Sequence, residues 1–209
     1  LPVAGQAPGR CVTFDSIAMA KLFFRYSAMN AGKSTALLQI AYNYEEQGQR
    51  VHLFTAGIDD RSGVGKIASR LGLQRPAHVF DNRTDFLALL GSEKALACVL
   101  IDESQFLQPE QVRALHQAAH AFNIPIICFG LRSDFQGKPF PGATYLLTLA
   151  DDIEEIKTIC ACGRKATMNV RFDGQGRRVL EGEQVDIGGN GKYVQVCARC
   201  FYQNTSKPL

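Results

Sequence analysis

No apolar run in the 209 residues approaches the roughly 20 that a membrane-spanning helix needs. No basic cluster is present either, and a net charge of +3 is too small to mark a nucleic-acid surface. There is no internal repeat and no low-complexity tract, which sets aside repeat arrays and biased linkers. The hydrophobic share of 46% and charged share of 21% are ordinary globular values, so an ordered chain is expected apart from its ends. Residues 1–18 carry Pro2, Gly5, Pro8 and Gly9 and show neither helical nor strand periodicity. They are expected to be a flexible or vector-derived extension. They lack the apolar core of a secretory signal, so a cytoplasmic protein is expected.

What is present centres on Ser27-Ala28-Met29-Asn30-Ala31-Gly32-Lys33-Ser34. An apolar run from Leu22 to Tyr26 precedes it, and residues 35–47, free of Gly and Pro, read as a helix closed by Gly48. Strand, tight loop and helix is the context of a phosphate-binding loop. Backbone N–H groups and the helix N-terminus face phosphate oxygens, Lys33 reaches the terminal phosphates, and the Ser34 hydroxyl is placed for Mg²⁺. Ser27 stands where that pattern usually opens with Gly.

Further along, residues 51–55 read as a second strand. A polar, Gly-rich loop over 57–65 suits either a lid or a solvated connection. Residues 77–80 suggest a weak third strand and 84–90 a short helix. The near-continuous apolar run at 95–101 reads as a strand buried on both faces. Pro109 opens an amphipathic helix with Val112, Leu115, Ala119 and Phe122 at helical spacing. Residues 124–129 form another buried strand, stopped by Gly130. The alternation predicts an α/β domain over 19–150 with a mostly parallel sheet. From about 151 the helical period vanishes and glycines punctuate short runs, so 151–209 is expected to be a small second domain.

Asp102 ends the strand at 95–101, at the sheet edge beside the phosphate loop, where a carboxylate holds Mg²⁺ directly or through water. Glu103 leaves the strand in another direction and is a candidate general base for a hydroxyl attacking a γ-phosphate. The pair therefore points to nucleoside triphosphate binding. Cys160, Cys162, Cys197 and Cys200 form two close pairs, as Cys-x-Cys and Cys-x-x-Cys, with thirty-four residues between Cys162 and Cys197. They are suited to a structural Zn²⁺; unligated thiols or a redox pair are the alternatives. Cys98 and Cys128 sit in apolar runs as buried thiols. Phe106, Phe135, Phe140 and Tyr193 fall outside periodic segments, where they either pack or stack on a base.

The phosphate loop containing Met29, Asp102-Glu103-x-Gln105-Phe106, the run Phe129-Gly130-Leu131-Arg132-Ser133-Asp134-Phe135, and Ile187-Gly188-Gly189 ahead of Tyr193 and Cys197 occur in one order. In that order they resemble the zinc-containing, cellular-type (type II) thymidine kinases, from about residue 19 to 202. The resemblance implies a P-loop NTPase-type, RecA-like fold with a small C-terminal zinc-binding lasso domain. It implies transfer of the ATP γ-phosphate to the 5′-hydroxyl of thymidine, giving thymidine monophosphate. Glu103 would be the base, Arg61 would reach the phosphates between donor and acceptor, and Asp102 would help hold Mg²⁺. The loop 27–34 with Ser104 and Gln105 would complete the nucleotide site. Met29, Phe106, Leu131, Phe135 and Phe140 would wall the thymine pocket. Gln184, Val185, Asp186, Ile187, Gly188 and Tyr193 would belong to the lasso over the substrate. A homotetramer inhibited by thymidine triphosphate is implied too. Rival classes are a DNA-stimulated ATPase with a zinc ribbon and a nucleotide-binding switch.

Overall fold

The computed structural model describes residues 19–58, 63–185 and 192–204. In chain order, β1 (Leu22–Ser27) leads through the phosphate loop to α1 (Lys33–Glu46), then β2 (Arg50–Ala56). A small hairpin, β3 (Lys66–Ala68) and β4 (Gln74–Pro76), precedes β5 (His78–Phe80), α2 (Phe86–Gly91) and β6 (Leu96–Ile101). A 3-10 turn at Ser104–Phe106 leads to α3 (Pro109–Phe122), β7 (Ile126–Leu131), α4 (Pro141–Leu149) and β8 (Asp152–Glu155). The remainder holds β9 (Thr158–Ile159), β10 (Lys165–Ala166), β11 (Met168–Phe172), β12 (Arg178–Val179), β13 (Tyr193–Val196) and α5 (Ala198–Gln203).

Strands β5-β2-β6-β7-β1-β8 form one sheet in that order, with every pairing parallel. A strand alternates its side chains between two faces, and these strands are apolar on both. Phe24, Phe54, Val99, Ile101, Ile126 and Cys128 share one core with α2, α3 and α4 residues such as Phe86, Leu115 and Leu146. On the other face Leu53, Cys98, Leu100, Ile127 and Phe129 pack against Leu37, Leu38 and Ala41 of α1. The mostly parallel sheet between helical layers matches the α/β expectation.

The structure corrects several boundaries. Gly130 does not stop its strand: β7 runs through it to Leu131. Glycine is required there because a Cβ would lie 2.6 Å from Ser104 Oγ and 2.8 Å from Gln105 Oε1. The change of texture at 151 falls inside the large domain, since β8 joins the sheet edge beside β1. Its acidic sequence, Asp-Ile-Glu-Glu, hides a strand that is largely exposed at the edge. Helix α4, started by Pro141, and the β3–β4 hairpin were not expected from the sequence; Phe106 lies in the 3-10 turn and Tyr193 opens β13.

The C-terminal unit is built from the antiparallel sheet β12-β11-β13 and the β9–β10 hairpin. Its own core is small: Cys160, Ala166, Val170, Phe172, Val194, Val196 and Cys197 are its buried apolar members. Such a core supplies little stability without a staple.

Candidate active site and cysteine cluster

The turn between β1 and α1 is set by backbone conformation. Asn30 (φ 61°) and Gly32 (φ 84°) take left-handed conformations, which turn successive amides toward one concavity at the helix start. A Cβ at Gly32 would meet nothing within 4 Å, so glycine is needed there for its φ and not for space. Lys33 is buried, and its Nζ donates to Ser27 Oγ and Ala28 O, each at 3.1 Å. The serine at the unusual first position therefore helps hold the lysine across the loop.

Ser34 Oγ donates to Asp102 Oδ2 at 2.8 Å, joining the loop to the end of β6. Burial, then the neighbouring Glu103 carboxylate, push the Asp102 carboxyl up to about 7, against the pull of the Ser34 hydrogen bond. An acid buried at such cost beside a hydroxyl is a site suited to a cation. A serine hydroxyl and a carboxylate are hard oxygen donors of the kind Mg²⁺ takes, so Ser34 and Asp102 fit that ion.

Glu103 is held in a left-handed conformation (φ 53°, ψ 37°), which costs a non-glycine residue about 1–3 kcal/mol. Two contacts oppose that strain. The Glu103 N–H donates to Asp102 Oδ1 at 3.0 Å, and Gln105 Nε2 donates to Glu103 Oε2 at 2.6 Å. Gln105 is fixed in turn, accepting from Leu131 N at 3.0 Å. The carboxylate is thereby aimed by its supports.

Met29, Asn30, Ala31, Gly32, Lys33, Ser34, Asp102, Glu103 and Leu131 line one cleft of about 750 Å³. Lys66, Ile67, Ala68, Ser69 and Arg70 from the hairpin region line its other wall, and the sequence had offered no signal for them. Other expected site residues lie elsewhere. Ser104 is fully buried and faces Gly130, while Gln105 is a support behind Glu103. Ser27 and Ala28 are buried beneath the loop, and act through Lys33.

Phe106 and Phe140 meet edge to face at 5.8 Å, with Leu131 and Val185 packed on the same core. Phe135 is buried, with the Arg171 guanidinium 3.9 Å from its ring centroid. Gln184 Nε2 donates to Asp134 Oδ2 at 3.1 Å and to Pro139 O at 3.3 Å. The Tyr193 carbonyl lies 3.5 Å from Asn30 Nδ2. Arg61, Asp186, Ile187 and Gly188 lie outside the described residues.

A tie that sequence reasoning missed joins the two units. Asn169 of β11, buried, accepts from the Met29 N–H at 2.8 Å and donates to Ser133 O at 3.4 Å. Asn30 Nδ2 donates to Gln195 Oε1 of β13 at 2.9 Å. The two contacts to the phosphate loop span over 100 residues of sequence, and no local pattern announces them.

The four cysteines converge. Their Sγ atoms all lie within 4.8 Å of one another, with Cys162 and Cys197 3.6 Å apart. Thiolates on a tetrahedral zinc sit about 3.8 Å apart, the edge implied by Zn–S bonds of about 2.3 Å. The tight Cys160-x-Cys162 pair fits because it rides the β9–β10 turn, where Cys160 N donates to Arg164 O. Cys197 caps α5, its Sγ accepting from Cys200 N at 3.5 Å. A backbone amide at Arg164, with the other thiols, pulls the Cys162 thiol down to about 6. The donor set fits a structural zinc.

A parallel sheet with a phosphate loop after β1, and a Ser–Asp pair with a propped glutamate across it, define a nucleotide-dependent phosphotransferase of the P-loop class. Residues 20–201 match the family model for thymidine kinase, and the chain belongs to that family. It is 63% identical to thymidine kinase of Chromobacterium violaceum over 186 residues, 89% of this chain and 100% of that protein. It is 55% identical to that of Albidiferax ferrireducens, over 90% of this chain and 95% of the relative. Against that of Agrobacterium fabrum identity is 54%, over 87% and 95%.

Proposed function

We propose that this family member transfers the ATP γ-phosphate to the 5′-hydroxyl of thymidine, and that Glu103 is its general base. The supporting observation is the Glu103 carboxylate, propped by Gln105 at 2.6 Å and sharing a cleft with Lys33, Ser34 and Asp102. Phosphoryl transfer asks mainly for positioning and charge neutralisation. The loop amides and Lys33 bind the phosphates. Ser34 and Asp102 would hold Mg²⁺, which would supply neutralising positive charge for the phosphates. Glu103 takes the proton from the incoming hydroxyl, and its fixed direction spares the search for that geometry.

Met29 and Leu131 flank the acceptor end of the cleft, with Phe106, Phe140 and Val185 packed around it. Gln184 and Tyr193, with Asp186, Ile187 and Gly188 between them in sequence, would serve as the cover over the base. Phe135 acts from behind, through Arg171. Arg61 contributes positive charge at the transferring phosphate. Cys160, Cys162, Cys197 and Cys200 would hold Zn²⁺, which would anchor this cover. The same reading carries a cytoplasmic homotetramer inhibited by thymidine triphosphate.

The test is ATP consumption by the purified protein with Mg²⁺ and thymidine, deoxycytidine, deoxyadenosine or no acceptor, with products identified by mass. Thymidine monophosphate formed selectively is expected. Consumption indifferent to every nucleoside overturns the reading.

A further inference from the structure

At the opposite end of the sheet from the phosphate loop, three side chains from distant parts of the chain converge. His116 and His120 stand one turn apart on α3, and so share a face. Asp151 lies in the short link between α4 and β8. One ligand atom from each lies within 4.8 Å of the others. His120 Nε2 is 3.2 Å from Asp151 Oδ2, and His116 Nε2 is 3.7 Å from Asp151 Oδ1. The rings meet edge to face at 4.7 Å, so both Nε2 atoms address a single carboxylate.

We infer that His116, His120 and Asp151 form a second metal site, for a Zn²⁺-class divalent cation bound by two imidazoles and one carboxylate. Ligand atoms on a tetrahedral zinc with bonds of about 2.0–2.1 Å lie about 3.4 Å apart, close to the separations found here. The carboxylate is oriented from behind: Asp151 Oδ2 also accepts from the Leu22 N–H at 2.8 Å, and Asp151 N donates to Leu22 O at 2.9 Å. Such outer contacts fix a metal-binding carboxylate in direction. The cation sits beside the second half of α3, toward the helix end that favours positive charge. All three side chains are part-exposed, at 34%, 30% and 25%, leaving a path for the ion and room for a water ligand.

The site is separate from catalysis. Leu22 and Asp152 begin β1 and β8, whereas Ser27 ends β1 roughly 17 Å away along a strand of six residues. Bound metal would tie α3 to the starts of those two strands. Its role is to clamp the fold, and it reaches no substrate.

The full-length protein, His116→Ala and His120→Ala are each equilibrated with zinc and dialysed against metal-free buffer, and zinc per chain is measured. His120→Gln repeats the test with a polar replacement, in case the alanine variant misfolds. Asp151 is left intact because it also holds Leu22. The expected result is one equivalent of zinc less in each variant than in the native chain, whatever the four cysteines hold. Cobalt exchange should show that equivalent without a thiolate-to-metal absorption band. Added zinc should raise the melting temperature of the native protein more than that of the variants. Equal zinc and an equal thermal response in native and variant proteins would overturn the site.

Discussion

The large domain and the C-terminal unit solve the same problem with different means. The six-stranded sheet buries Phe24, Phe54, Leu100, Ile101 and Phe129 almost completely between two helical layers. Each such side chain contributes about 1.5–3 kcal/mol when removed from water. The C-terminal unit has short strands and a core in which two of the seven buried apolar members are cysteines. Its stability then depends on what those cysteines hold. The lesson concerns function as well, because the unit that depends on its staple also supplies Asn169, which grips Met29 in the phosphate loop. On the proposed function, substrate-side geometry would thus fall partly to the less self-sufficient region and phosphate chemistry to the robust one.

The largest effect should come from Cys160→Ser. Loss of a zinc ligand should release the C-terminal unit, and thymidine phosphorylation should fall to background while the sheet stays folded. Hydrogen exchange separates the two: amides of β11 should lose protection and those of β6 keep it. Protected β11 amides with full activity in this variant would break the comparison.

A smaller, chemical contrast lies in the thiols themselves. Burial pushes Cys98 up to about 12 and raises Cys128 as well, whereas Cys162 is drawn down to about 6. At pH 8, with the metal removed immediately before labelling so that the C-terminal unit has not yet opened, Cys162 is above its titration and carries thiolate, while Cys98 lies well below its own and stays a neutral thiol. Alkylation followed by peptide mass mapping should label Cys162 first and leave Cys98 and Cys128 unmodified until the sheet unfolds. Equal labelling of Cys98 and Cys162 under native conditions would remove the contrast.

The smallest effect sharpens the picture of the large domain. Asp85 caps α2, its carboxylate accepting from the Ala88 N–H at 3.0 Å. Asp85→Ala should cost about 0.5–2 kcal/mol in denaturant unfolding and leave the rate of phosphoryl transfer unchanged.

The parts legible in the sequence were those written in local pattern. Apolar runs marked β1, β6 and β7. Helical spacing after Pro109 marked α3, and Gly-Lys-Ser with Asp-Glu marked the two halves of the phosphate site. Two thiol pairs were visible as a metal set, although only the fold could show that a Cys-x-Cys turn closes on Cys197 and Cys200. What stayed hidden depends on distance in sequence. β8, an exposed edge strand of acidic residues, has no apolar signature. The burial of Phe135 under Arg171 and the grip of Asn169 on Met29 arise only when β11 is laid beside the loop. The support of Glu103 by Gln105 was hidden too, because spacing alone does not say which way a side chain turns in a 3-10 turn.

The central claim is that Glu103 moves the proton, and the most direct measurement is single-turnover phosphorylation of thymidine by Glu103→Gln, with ATP affinity measured alongside. Glutamine keeps the size and the hydrogen-bonding reach but cannot accept the proton. ATP should bind within a few-fold of native while the rate falls by about 10²–10⁴-fold. A rate equal to that of the native protein would contradict it.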